Sequence, residues 1–169
     1  MKYLLLSLCS LLIFSCSNTT EVRQGSWSEK YENGQLKVEG FYQDGLKEGE
    51  WKSYYENGQL KEYVIYSKGK KNGVWKWFND QGQLKDITTY INDLAEGDWK
   101  SYDDTGMLRV TGFYKDGYSS GQWNWYWENG QLRDSGEYIN GMREGEWKYF
   151  KENGELDRVE FFKNDKVIK

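Results

Sequence analysis

The chain contains no histidine, no proline and only two cysteines in 169 residues. Without histidine, imidazole acid-base catalysis, histidine-dependent triads and the usual zinc ligand sets are excluded. Neither sign of charge dominates: 23 Lys and Arg stand against 27 Asp and Glu, a net charge of -4. The lysines are scattered among acids, so the sequence lacks the basic surplus or patch that a nucleic-acid binder needs. The apolar run Tyr3 to Phe14 is too short to span a bilayer as a helix. What is abundant is aromatic, at 18% of residues, which excludes a disordered chain because so many rings need packing partners.

One positive charge, Lys2, precedes that short apolar run, which reads as an export signal. It ends Leu12-Ile13-Phe14-Ser15-Cys16, which resembles the lipobox of bacterial lipoproteins: an aliphatic residue three before the cysteine and a small one just before it. The resemblance implies a signal over residues 1–15, cleavage before Cys16, and lipidation there, with residues 16–24 as a tether. Two or three acyl chains anchor durably where one does not. The alternative is an ordinary cleaved signal that leaves a free thiol. Cys9 leaves with the signal, so no disulfide is expected within one mature chain. Ser17 after the cysteine, where no Asp stands, fits outer-membrane sorting in a Gram-negative cell by analogy with enteric lipoproteins.

From residue 25 a 24-residue period organises everything: Trp27, Trp51, Trp75, Trp99, Trp123 and Trp147. Each has a glycine two before it, from Gly25 and Gly49 through Gly97 to Gly145, and another seven after it, as at Gly58 and Gly106. A leucine such as Leu60 follows that second glycine, and a Tyr or Phe such as Tyr42, Tyr66, Tyr114 or Phe162 marks the second half of each unit. Six units therefore start near 25, 49, 73, 97, 121 and 145 and fill residues 25–169.

Within a unit, two strand-like runs flank Asn57-Gly58, which predicts a type I′ hairpin. Gln81-Gly82 and Thr105-Gly106 keep only the glycine, so those turns are expected to be looser or of another type. A two-residue loop pairs Tyr55 with Leu60, Ser53 with Glu62, Trp51 with Val64 and Gly49 with Tyr66 on one face. Glycine at 49 would then let the Tyr66 ring lie across bare backbone. The other face carries Tyr54, Phe78, Tyr102, Tyr126 and Phe150 and should be half wet. Short links such as Gly45 to Gly49 turn the chain back, giving an all-β meander of twelve strands in one twisted antiparallel sheet, roughly 55 Å along the stack.

The pattern G-x-W-x-x-Y-x-E-N-G-Q-L-K, followed by Tyr and then Asp-Gly or Asn-Gly, resembles the MORN repeat in its bacterial variant, often labelled YwqK-type antitoxin. The resemblance implies side-by-side hairpins in an elongated sheet, and interaction with membranes, scaffolds or protein partners in place of a reaction. An antitoxin role sits awkwardly with an export signal, since the toxin would have to be met outside the cytoplasm.

Glutamates such as Glu32, Glu56, Glu128 and Glu152 recur at turns and do not converge as a catalytic pair. No catalytic residue, metal or cofactor is expected. Departures from the repeat are more telling: Trp77 and Trp125 replace the serines at Ser53 and Ser101, and Trp127 replaces Tyr55, so Trp123, Trp125 and Trp127 are expected along one face. Clustered Trp suits recognition of a protein or polymer, or simply extra packing in the middle of the sheet. Two functions follow: an envelope-anchored, non-enzymatic binding module, or a structural spacer without a dedicated ligand.

Overall fold

The computed structural model describes residues 22–168; Cys16, the expected export signal and most of the expected tether lie outside them. The first strands of the units are β1 (Gly25–Lys30), β3 (Leu46–Tyr54), β5 (Lys70–Phe78), β7 (Leu94–Tyr102), β9 (Tyr118–Tyr126) and β11 (Met142–Phe150). Their partners are β2 (Leu36–Gln43), β4 (Leu60–Ser67), β6 (Leu84–Ile91), β8 (Leu108–Lys115), β10 (Leu132–Ile139) and β12 (Leu156–Lys163). A two-residue β13 (Lys166–Val167) adds one strand to the twelve expected. All thirteen lie in chain order in a single antiparallel sheet.

The intra-unit register is the one the period predicts at three of four pairs: Gly49 opposite Tyr66, Trp51 opposite Val64 and Ser53 opposite Glu62. The fourth differs. Leu60 pairs with Tyr54, not Tyr55, because the turn is not a two-residue type I′. Tyr55 N–H donates to Gln59 O at 2.9 Å and Gly58 N–H to Tyr55 O at 2.9 Å, which closes a three-residue loop. Gly58 has φ +86° while Asn57 stays out of the left-handed region, the geometry of a type I turn ending in a glycine bulge. A one-residue bulge then restores the pairing upstream.

Since only the glycine needs positive φ, Gln81-Gly82 and Thr105-Gly106 form the same turn and are not looser. In the Asn-Gly turns, Asn57 Oδ1 accepts the Gln59 N–H at 3.0 Å. Where that Asn is missing, Asn79 Oδ1 or Asp103 Oδ1 takes over, accepting the N–H groups of Gln83 at 2.9 Å and Met107 at 3.0 Å. The tight two-residue turns lie between units instead, at Asp44-Gly45, Lys68-Gly69, Asn92-Asp93, Asp116-Gly117 and Asn140-Gly141, and once more between β12 and β13 at Asn164-Asp165. At Asp44 and Gly45, φ is +51° and +78°, as a type I′ turn demands.

The recurring glycine before each Trp also has a different cause from the one expected. At Gly49 and Gly97 a Cβ would meet open space, so no ring requires bare backbone there. Their φ values, +68° and +90°, lie where the inter-unit register slips by a bulge, and that conformation selects glycine.

Along the three-residue turns, neighbouring units are tied by side chains. Tyr31 and Tyr55 hydroxyls donate to Tyr54 O and Phe78 O at 2.7 and 2.8 Å, and Asn33 and Asn57 amides to Glu56 O and Asp80 O at 3.0 and 2.7 Å. Trp127 Nε1 and Asn129 Nδ2 repeat the pair at Phe150 O and Glu152 O, at 3.0 and 2.7 Å. The third and fourth units, with Asn79 and Asp103 in the Tyr column, lack it and use ion pairs: Lys85 with Asp104 at 3.0 Å and Arg109 with Glu128 at 3.5 Å.

An aromatic ladder and its interruption

The indole and phenol columns form a ladder on one face. Edge-to-face contacts link Trp51 to Tyr66 at 6.1 Å and Trp99 to Tyr114 at 6.2 Å, and Trp rings of successive units meet at 5.8 Å (Trp27 and Trp51) and 5.3 Å (Trp99 and Trp123). Burial raises the pKa of the Tyr66, Tyr90, Tyr114 and Tyr138 phenols, which keeps the ladder neutral.

What lets a ring sink into a single-layer sheet is the residue beneath it on the preceding strand. The rings of Trp51, Trp123 and Trp147 lie on Gly40, Gly112 and Gly136, so closely that a Cβ on any of the three would overlap the indole. These are the three fully buried Trp residues, at 2%, 5% and 4% exposure. In the two middle units the same column holds Val64 and Thr88, and Trp75 and Trp99 stay half-buried. Among the described residues Trp75 touches neither neighbouring indole.

That interruption opens a cavity of about 550 Å³ between Trp75 and Trp99, walled by Tyr90 and Tyr114. Thr88 lines it at 4% exposure, and its Oγ1 is buried with no hydrogen-bond partner. Asp86 lines it too and contributes, after burial, to raising the Tyr114 phenol. The corresponding acids are engaged: Glu62 accepts Trp75 Nε1 at 2.6 Å, and Asp134 accepts Arg133 Nε at 2.9 Å. Among the described residues the Asp86 side chain makes no hydrogen bond or ion pair.

The extra Trp residues are not one surface. Trp123 is core. Trp125 wedges against it at 5.9 Å and against Trp147 at 5.6 Å. Trp127 sits in the turn under the Arg133 guanidinium, 5.8 Å from its ring centroid, and meets neither Trp123 nor Trp125 among the described residues. Trp77 stands opposite Asp86, with no ring contact there either. Of the fifth-unit face expected of Trp123, Trp125 and Trp127, the structure brings the first two together and leaves the third apart in the turn. The turn glutamates Glu32, Glu56, Glu128 and Glu152 are all exposed and separate. Sequence reading missed the cavity, whose signal is a column of glycines that fails at residues 64 and 88.

An open sheet of stacked hairpins with one aromatic face defines a repeat-array protein whose units bury their rings against their neighbours. The MORN repeat variant matches at residues 23–44, 47–68, 71–92, 95–116, 120–140 and 143–164, and the chain belongs to that family. No curated protein matches the chain. Among solved structures it is similar to TarM of S. aureus, a G117R mutant in complex with fondaparinux, alpha-GlcNAc-glycerol and UDP, at 13% identity and a TM-score of 0.38. That alignment covers 72% of this chain and 21% of TarM. It is also similar to a GtfA/B complex bound to UDP and GlcNAc, at 13% identity, TM-score 0.29, with 69% and 22% covered. The chain spans about a fifth of those proteins, and likeness at this level carries nothing about activity.

Proposed function

We propose that this protein is a non-enzymatic, lipid-anchored binding module of the bacterial envelope, holding a protein or polymer partner on the aromatic face of its sheet. The observation that carries the reading is the interrupted ladder. A spacer needs only uniform rungs, whereas here the rings part around a buried, unpartnered hydroxyl and a free carboxylate. The membrane assignment rests on the lipobox resemblance at Cys16. The antitoxin resemblance enters this reading only as an immunity-type role, in which the toxin is met outside the cytoplasm.

The test is cross-linking pull-down from intact envelopes with wild type and Thr88→Gly. Glycine there copies Gly40, Gly112 and Gly136 and lets Trp99 settle onto the sheet, closing the cavity. A binding module loses its partner with the fold intact; a spacer shows no partner, or one that Thr88→Gly leaves unchanged. Cys16→Ser is expected to move the protein from the membrane to the soluble fraction or leave it unprocessed. Unchanged lipid labelling in that variant overturns the anchor.

A further inference from the structure

A second column, again at the 24-residue period, runs Arg23, Lys47, Lys71, Ala95, Ser119, Arg143. In four units its cation caps a Trp and its paired ring: Arg23 Cζ lies 5.5 Å from the Trp27 centroid and 5.4 Å from that of Tyr42. Lys47 Nζ lies 4.2 and 4.8 Å from Trp51 and Tyr66, and Lys71 Nζ 5.9 and 5.0 Å from Trp75 and Tyr90. Arg143 Cζ lies 5.7 and 4.0 Å from Trp147 and Phe162. Ring faces attract cations in this way.

Among the described residues, Ala95 and Ser119 leave two seats without a cation from this column. The two differ. At Ser119 the indole of Trp125 crowds the site, 5.9 Å from Trp123 and 6.4 Å from Tyr138, and Asp134 is already neutralised by Arg133. At Ala95 the seat over Trp99 and Tyr114 opens into the cavity lined by Thr88 and by Asp86, whose carboxylate has no hydrogen-bond or ion-pair partner among the described residues. The nearest cation of the column, Lys71, is drawn to Glu62 at 3.8 Å.

We propose that this seat takes an alkylammonium group from outside the chain, with the chemistry of a lysine side chain on a partner. The amine lies over Trp99 and Tyr114 where Lys47 and Lys71 lie in their own units, and pairs with the Asp86 carboxylate. The methylene stem runs between the Trp75 and Trp99 rings. This deepens the binding-module reading by naming the chemistry of the partner.

The test is an NMR titration of indole N–H resonances in the full chain, in non-ionic detergent, with Nα-acetyl-lysine methylamide. The expected result is saturable binding on the order of millimolar, at least about tenfold weaker for the neutral norleucine analogue. Ala95→Lys fills the seat from within and should abolish binding, and Asp86→Asn should weaken it several-fold. Circular dichroism checks that Ala95→Lys folds; should it not, Asp86→Asn decides alone. Equal binding of lysine and norleucine probes, saturation by glucose in place of the amine, or full binding by a folded Ala95→Lys overturns the proposal. Partner capture that depends on Thr88 but with no lysine-probe binding sinks the seat and leaves the module. Probe binding without any envelope partner does the reverse.

Discussion

Replacing Gly136 with alanine adds one methyl group where the Trp147 indole rests on the backbone. Away from that ring the change would help, since alanine in a strand recovers about 0.5–1 kcal/mol of backbone entropy relative to glycine. Here the methyl and the indole cannot share the space, and Trp147 is fixed from the other sides by Trp125 at 5.6 Å, Tyr138 at 5.2 Å and Phe162 at 5.8 Å. Overpacking of this kind costs about 1–3 kcal/mol, below the roughly 3–5 kcal/mol of losing the ring altogether. Val64 and Thr88 set the ceiling, because the array already accepts a side chain in that column by leaving its Trp half-buried. The net expectation is about 1–2 kcal/mol of destabilisation, and with about 2–4 °C per kcal/mol a fall in melting temperature of roughly 2–8 °C. Trp emission should shift to the red as the indole lifts off the sheet. A melting temperature unchanged or raised, with unshifted emission, would refute the close approach as the reason for glycine.

Gly97→Val and Gly106→Ala should both destabilise, because φ is +90° and +83° with open space around either Cβ; alanine costs about 1–2 kcal/mol and the β-branched valine more, so equal thermal melts would count against a conformational origin. Trp125→Ser should cost about 3 kcal/mol or more by emptying a ring cluster, whereas Trp77→Ser, outside any ring contact among the described residues, should cost clearly less in denaturant titrations. The Tyr54 phenol is pushed up to about 12, first by burial and then by its hydrogen bond to Glu39 at 2.6 Å. The folded state therefore holds that proton more tightly than the unfolded chain, so this contribution is complete below pH 10 and is lost as pH rises toward about 12. Tyr54→Phe should make the loss of stability across that window shallower without abolishing it, because the Tyr66, Tyr90, Tyr114 and Tyr138 phenols are raised as well.

The 24-residue columns made the strands, their faces and three of four pairings legible, since a periodic array repeats its register as faithfully as its residues. The turns were read in the wrong place because Asn57-Gly58 and Asn140-Gly141 are the same dipeptide in loops of different length. Only the positions where Gln81 and Thr105 stand in for Asn showed that one positive φ suffices. The cavity escaped for a different reason. Gly40, Gly112 and Gly136 recur in three units of six, and the cation column in four, so a search for invariants passes over both. The extra Trp is the more conspicuous signal in the sequence, although Trp125 fills space between Trp123 and Trp147. The seat over Trp99 is written as an alanine, a residue that announces nothing by itself.

The ties along the three-residue turns give the array an uneven stiffness. Between the first three units and between the last two, turn-edge coupling is made of short hydrogen bonds from Tyr, Trp and Asn to backbone carbonyls, which ionic strength hardly touches. Across the third-to-fourth and fourth-to-fifth junctions it rests on Lys85 with Asp104 and Arg109 with Glu128, whose acids are 86% and 91% exposed. Such pairs fade as added salt shortens the Debye length to a few ångströms. The Trp ladder parts at the first of these junctions as well. Raising salt therefore loosens the sheet at its waist, and the two ends behave as stiff blades on a compliant joint that holds the ammonium seat.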